Sequence, residues 1–173
     1  EDLPYTEATP LAARNPYDVS KSCADLIAQS YAATYNLPVA IARCGNIFGP
    51  GDLNWSRLVP GTIRSLLNGE RPIIRSDGTM VRDYLYVEDA VNAYLALAEW
   101  LNENRAGQNP AFNFSSNRPM NVLTMTEMIR HACGREDLVP IIQNAAKCEI
   151  AAQHLDTTRA QRELNWSIQH DLS

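Results

Sequence analysis

The residues of this sequence best suited to chemistry are Tyr17 and Lys21, which form a Tyr-x-x-x-Lys pair. Residues four positions apart lie on the same face of an α-helix, so the lysine ammonium is expected near the tyrosine hydroxyl. A neighbouring positive charge favours the ionised phenol, which could then act as a general acid or base near neutral pH. Such pairs also arise by chance on helices, and the pair alone does not decide between the two interpretations.

A helix, a strand and a loop are predicted to position this pair. The range 16–35 predicts a helix, because Pro16 suits the first turn, Asn15 can cap it, and apolar residues recur at helical spacing. The range 39–44 predicts a buried strand of a parallel sheet. The glycine-rich range 45–51 predicts a loop at the carboxyl end of that strand, where ligands bind in open α/β sheets.

The remainder of the sequence continues to alternate between helical and extended patterns, which predicts an α/β protein. Further helices are expected at 56–69, 88–101, 121–132 and 157–164, and further strands at 72–74, 84–87, 111–114 and 140–142. The buried strands are too few for a self-sufficient doubly wound sheet. We therefore predict part of a parallel sheet followed by a small mixed α/β lobe.

The overall composition excludes several classes of protein. The formal net charge of -5 argues against general nucleic-acid binding, which requires a basic surface. No apolar run reaches the roughly 20 residues of a membrane-spanning helix. No two of the four cysteines have C-x-x-C spacing, so no metal site is predicted. With no signal peptide visible, the cysteines are interpreted as reduced thiols of a cytoplasmic protein.

Three motifs in order along the chain carry a resemblance to a known family. The Tyr-x-x-x-Lys pair is followed by the glycine-rich range 45–51 and then by the range 81–90, whose sequence is Val-Arg-Asp-Tyr-Leu-Tyr-Val-Glu-Asp-Ala. In this order they resemble the extended short-chain dehydrogenases/reductases that act on nucleotide sugars, a branch of 4,6-dehydratases and 4-epimerases. The range 149–166 resembles the tail of these enzymes, most of all that of CDP-glucose 4,6-dehydratase.

The resemblance implies a catalytic and cofactor role for four residues. Tyr17 would take the proton from the sugar 4-hydroxyl while hydride leaves to NAD⁺ or NADP⁺. Lys21 would tune Tyr17 and hold the nicotinamide ribose. Arg43 and Cys44 would end the strand beneath the nicotinamide. These are expectations from the family and not from the spacing of the residues.

The resemblance also implies a site for a nucleotide-diphosphate sugar. Asn46 would bind the sugar or its phosphate, and Arg82 would bind the pyrophosphate as a bidentate donor. Leu58 and Val59 would lie near the nucleotide base. Glu149 would touch the substrate, although a solvated loop carboxylate is an equally good interpretation of this residue.

The sequence departs from the family pattern in what it lacks. It has no Gly-x-x-Gly-x-x-Gly phosphate loop, and the range 1–48 is predicted to be the remnant of a Rossmann-like domain. The range 49–173 is mainly the substrate lobe, with strand 111–114 returning to the sheet. The first hypothesis is therefore a fragment of a dehydratase or epimerase that is inactive alone. The alternative is a stand-alone, non-catalytic module that pairs with a partner or with itself.

A homodimer or larger assembly is expected under either hypothesis. The range 16–35 carries a row of small residues, and the equivalent helix of the family packs in the four-helix bundle of a dimer. The small residues, which would let another helix approach closely, are Ala24, Ala28 and Ala32.

Overall fold

The computed structural model describes residues 3–103, 111–145 and 150–172. Its helices are α1 (Pro16–Tyr35), α2 (Leu58–Leu67), α3 (Val87–Glu103), α4 (Val122–Ala132) and α5 (Thr158–Leu164). Its strands are β1 (Ile41–Cys44), β2 (Asn46–Phe48), β3 (Ile73–Ile74), β4 (Val81–Arg82), β5 (Tyr84–Tyr86), β6 (Ala111–Phe114), β7 (Met120–Asn121), β8 (Ile141–Ile142) and β9 (Ala152–Gln153). The predicted mixed α/β class is confirmed.

Short, mostly parallel strand pairs make up the sheets. Strand β1 pairs in parallel with β6, β2 with β5, and β3 with β8. Strand β4 lies between β9, to which it is parallel, and β7, to which it is antiparallel. Parallel pairs of this kind need crossover connections, and the helices between the strands supply them.

At Gly45 the chain changes from one strand partner to another. The amide of Gly45 donates to the carbonyl of Phe114 at 2.9 Å, whereas the amide of Asn46 donates to the carbonyl of Asp83 at 2.8 Å. A Cβ atom at Gly45 would lie 3.0 Å from the Cβ of Asp83 and 3.2 Å from its carbonyl oxygen. A larger residue would force Asp83 to move by a few tenths of an ångström, so the close approach of the two segments favours a glycine.

Two apolar clusters hold these elements together. The first joins β5, α3, β6 and α5 through Leu85, Ala90, Ala93, Leu97, Phe112, Phe114, Ala160 and Trp166. The second joins α2, β5, β7 and α4 through Val59, Leu66, Tyr84, Met120, Met125 and Ile129. Because β5 contributes to both clusters, the motif that precedes α3 lies at the centre of the fold.

Helix α1 lies largely outside these clusters. Ala32 is its one buried residue among those described, so the predicted row of alanines is partly turned into the protein. Large apolar and aromatic residues of α1 are exposed instead, namely Tyr17, Val19, Leu26, Ile27, Tyr31 and Tyr35. The rings of Tyr31 and Tyr35 lie 5.3 Å apart. No helix among the described residues is long and apolar enough to cross a membrane.

Several local predictions need correction. Part of the predicted loop 45–51 is strand β2, because its backbone pairs with β5. Strand β1 is half-buried rather than buried, since β6 is its one strand partner in the described part of the chain. Asn15 occupies the N-cap of α1, but its side chain makes no capping bond and donates to Asp18 at 3.3 Å. Strands β4, β7 and β9 were not predicted.

Candidate active site

The predicted catalytic pair lies on the exposed first turns of α1. The Nζ atom of Lys21 is 5.7 Å from the centroid of the Tyr17 ring. The Ser20 hydroxyl donates to the carbonyl of Tyr17 at 2.6 Å. Tyr17 itself is 70% exposed, so a bound molecule could reach it freely. The two groups are neighbours, as residues four apart on a helix must be.

Arg43 links α1, β1 and the N-terminal segment. Its Nε atom donates to Asp25 of α1 at 2.7 Å, and its Nη2 atom donates to the second oxygen of the same carboxylate at 3.2 Å. Its Nη1 atom donates to the carbonyl of Glu7 at 3.1 Å. Burial raises the pKa of Asp25, but hydrogen bonds from Arg43 and Gln29 outweigh it and hold this pKa below its usual value. The guanidinium therefore makes structural contacts, and its predicted contact with a cofactor stays a prediction.

Three of the predicted binding residues meet at a small cavity of about 70 Å³, which we call the polar cavity. These are Cys44 at the end of β1, Asn46 at the start of β2 and Arg82 of β4. The remaining wall consists of Gly45, Asp83, Gln153 and Leu155. Burial raises the pKa of the Cys44 thiol to about 11, so this wall carries a neutral thiol at physiological pH.

Arg82 and Asp83 supply opposite charges to the polar cavity. Arg82 donates to the carbonyl of Val81 at 2.8 Å, so its guanidinium folds back along its own strand. Asp83 is buried, and its Oδ2 atom accepts a hydrogen bond from the amide of Leu155 at 2.6 Å. We did not predict Asp83 or Gln153 as site residues. Asp83 stands in the motif that carried the resemblance, but its partner lies 72 residues further along the chain.

The other predicted substrate residues lie away from the polar cavity. Val59 is buried in the second apolar cluster, and Leu58 packs against that cluster from its edge. Both are therefore core residues at the start of α2, and their contact with a nucleotide base stays a prediction. Glu149 lies outside the described residues.

A larger cavity of about 350 Å³ contains none of the predicted site residues. It lies between the N-terminal segment and the start of α5, and its lining includes Pro4, Asn117, His154, Asp156, Thr158 and Gln161. Its volume would accept a small molecule. None of the residues predicted to carry chemistry therefore lines this larger cavity.

Helices α1 and α3 do not offer a phosphate site for a dinucleotide. Such a site needs a glycine-rich turn between a parallel strand and the N-terminus of a helix. Helix α3 follows β5 directly, and its first turn carries Glu88 and Asp89, whose negative charges would repel a phosphate. Helix α1 begins with Pro16 and has Asp18 in its first turn. Neither helix therefore fits the pyrophosphate of a dinucleotide.

The mixed α/β fold, with its short parallel strand pairs, places the protein in the Rossmann-like class. The chain belongs to the NAD dependent epimerase/dehydratase family, whose model matches residues 1–114. It is 35% identical to the low-salt glycan biosynthesis protein Agl12 of Haloferax volcanii, over 99% of this chain and 54% of the relative.

Two solved structures have the same fold. The dTDP-glucose 4,6-dehydratase of Bacillus anthracis, in complex with NAD, superposes with a TM-score of 0.83 and 28% identity, covering 96% of this chain and 51% of that one. The UDP-glucose 4-epimerase of Thermotoga maritima, in complex with UDP-glucose, superposes with a TM-score of 0.88 and 26% sequence identity. The match covers 99% of this chain and 54% of that one. The chain therefore spans about half the length of the relatives it matches. These relatives confirm the predicted family, whereas the special similarity to CDP-glucose 4,6-dehydratase is not supported.

Proposed function

We propose that this chain forms the substrate-binding part of an NAD(P)-dependent nucleotide-sugar 4,6-dehydratase or 4-epimerase and supplies its acid–base pair. The observation that carries this proposal is the meeting of Cys44, Asn46 and Arg82 at one polar cavity. These residues come from three separate strands. Membership of the epimerase/dehydratase family supports the same assignment.

In this proposal Tyr17 accepts the proton of the sugar 4-hydroxyl and later returns it. Lys21, whose Nζ atom lies 5.7 Å from the centroid of the Tyr17 ring, donates hydrogen bonds to hydroxyl groups bound beside Tyr17. Asn46 and Arg82 hold the substrate, with the amide on a sugar or phosphate oxygen and the guanidinium on the pyrophosphate.

Replacement of Arg82 tests the substrate site directly. We expect Arg82→Ala to weaken the binding of UDP-glucose or dTDP-glucose by about 10- to 100-fold, because one charge-assisted bidentate contact to a pyrophosphate is worth roughly 1.5–3 kcal/mol. A thermal melt provides the first measurement. A nucleotide sugar present at 100 times its Kd should stabilise the unchanged chain by about 2.7 kcal/mol.

Arg57→Ala is the matched control, because Arg57 is an exposed arginine paired with Asp52 and does not line the polar cavity. It should leave the Kd within about twofold of the original value. Equal weakening by both substitutions would show that the affinity reflects general charge attraction. Absence of any shift with the whole panel of nucleotide sugars would contradict a substrate site in this chain.

The exposed face of α1 favours a second candidate function, a module that associates with a second copy of itself. Ile27, Tyr31 and Tyr35 follow one another at four-residue spacing, and each is more than half exposed. Exposed apolar rows of this kind mark protein–protein contacts. Burial of one such row against its symmetry mate would give a homodimer.

Light scattering at about 10 μM should therefore show a dimer or a larger species. Tyr31→Lys places a charge in the row and is expected to give a monomer. Tyr94→Lys, which alters an equally exposed tyrosine on α3, should leave the association unchanged. A monomeric unchanged chain with a cooperative melt would count against self-association through α1.

A further inference from the structure

Asp83 is a buried carboxylate with one oxygen that no described group satisfies. The residue is 3% exposed. Its Oδ2 atom accepts the amide of Leu155 at 2.6 Å, whereas its Oδ1 atom has no hydrogen-bond partner among the described residues. A buried acceptor without a donor is costly, so native structures usually provide one. Because Asp83 lines the polar cavity, a donor can come from whatever enters it.

The size of the polar cavity limits what can enter. Its volume of about 70 Å³ is far below the roughly 300–1,000 Å³ of pockets that enclose a whole ligand. A whole nucleotide or hexose ring does not fit, but one hydroxyl or hydroxymethyl group does. The side chains of Asn46 and Gln153 at its wall are exposed, so the cavity can be reached from solvent.

The charge of Asp83 selects among small groups. A carboxylate accepts hydrogen bonds and repels anions, so its side of the cavity excludes a phosphate oxygen and favours a neutral donor. The guanidinium of Arg82 lines another part of the same cavity and has the opposite preference. A nucleotide sugar contains both kinds of group, because its pyrophosphate is anionic and its sugar rings carry hydroxyls.

We infer that Asp83 is a specificity-determining residue whose Oδ1 atom accepts a hydrogen bond from one hydroxyl group of the bound nucleotide sugar. This inference rests on the proposed function, since it assigns one contact within the same substrate. It predicts that the chain distinguishes a nucleotide sugar from the analogue that lacks that hydroxyl. A site built for a hydroxyl discriminates in this way because its acceptor is otherwise left unpaired.

The test measures the binding of UDP-glucose to the full chain by calorimetry, together with analogues that each lack one hydroxyl of the hexose or the ribose. We expect one analogue to bind about 10-fold or more weakly than UDP-glucose. Asp83→Ala removes both carboxylate oxygens and puts no donor or acceptor in their place, so its side chain cannot bond a hydroxyl of either orientation. This variant should bind UDP-glucose about 10-fold more weakly and distinguish that analogue by less than about twofold.

Asp156→Ala is the matched control, because Asp156 also accepts a backbone amide, that of Thr158 at 2.7 Å, but lines the larger cavity. It should keep the full discrimination. If every analogue binds the unchanged chain as tightly as UDP-glucose does, the polar cavity holds water only and the assignment is overturned, even where Asp83→Ala does not fold. Discrimination that survives in Asp83→Ala also overturns it. If the unchanged chain binds no nucleotide sugar of the panel, the proposed function is overturned, and this assignment with it; if it binds another member of the panel and not UDP-glucose, the same series is measured with analogues of that member.

Discussion

Replacement of Asp89 by alanine is expected to lower the free energy of unfolding by about 3–5 kcal/mol, because this buried carboxylate anchors the last described segment. Asp89 is 1% exposed. Its Oδ1 atom accepts the amide of Gln169 at 2.9 Å, and its Oδ2 atom accepts the amide of His170 at 3.2 Å. In addition, the Nδ1 atom of His170 lies 3.1 Å from the Oδ1 atom of Asp89.

The loss should extend beyond these bonds, because the segment that the carboxylate holds also contains a core tryptophan, although the bond of that tryptophan to the backbone of residue 89 does not depend on the carboxylate. The indole nitrogen of Trp166 donates to the backbone carbonyl of Asp89 at 3.2 Å, and its ring stacks edge-on against Phe114 at 5.0 Å. Without the carboxylate, the segment 166–172 loses its anchor on α3. The first apolar cluster then loses the packing of Trp166. A loss of this size corresponds to a fall in Tm of roughly 10 °C for a chain of this length.

Glu88→Ala provides the matched control for Asp89→Ala. Both residues place a carboxylate in the first turn of α3, so both substitutions remove a similar interaction with the helix dipole. Glu88 is largely exposed, and its contact with His170 at 3.1 Å is a surface pair worth less than about 1 kcal/mol. Urea unfolding should separate the two variants clearly. Similar losses of unfolding free energy in the two variants would mean that the helix dipole explains the effect of Asp89→Ala. The hydrogen bonds from Gln169 and His170 would then contribute little.

The sequence predicts the longer elements of the fold because their patterns are local. Helix α4 begins after Asn121, whose side chain accepts the amide of Thr124 at 2.7 Å, and its apolar spacing is visible without any structure. Strands β4, β7 and β9 are two residues long, too short for a pattern of alternation. They exist because β4 finds partners about 40 and 70 residues further along the chain.

The residues of the candidate site likewise divide into those marked by a local sequence motif and those that depend on contacts between distant parts of the chain. The motif that contains Arg82 could be read from the sequence, and the family resemblance assigned both Arg82 and Asn46 to the same substrate. Asp83 escaped prediction because its significance depends on burial and on the amide of Leu155, neither of which a sequence pattern reveals. Likewise, Arg43 was predicted to face a cofactor, and its bidentate contact with Asp25 depends on how α1 lies against β1.

The second large loss of stability is expected when Asp25 is replaced. Asp25 and Arg43 form a nearly buried ion pair that holds α1 against β1. The side chains are 10% and 16% exposed, respectively. Asp25→Ala leaves the guanidinium of Arg43 without its carboxylate, and breaking a fully buried pair in this way costs about 3–5 kcal/mol. Because some solvent still reaches both groups, we expect a loss of about 2–3 kcal/mol of unfolding free energy. Hydrogen exchange should increase most in α1, whose other contacts with the core are few.

The pH dependence of this loss separates the ion pair from simple packing. Since the folded state holds the pKa of Asp25 below its ordinary value near 3.9, the carboxylate contributes stability above that value and loses it as the pH falls through the folded-state pKa. The difference between the unchanged chain and Asp25→Ala should therefore be constant from about pH 5 to 7 and shrink below about pH 4. Asp18→Ala, on the same helix but without an ion pair, should cost about 0.5 kcal/mol through the helix dipole. A difference that stays constant down to pH 3 would assign the effect of Asp25 to packing and leave α1 held by apolar contacts alone.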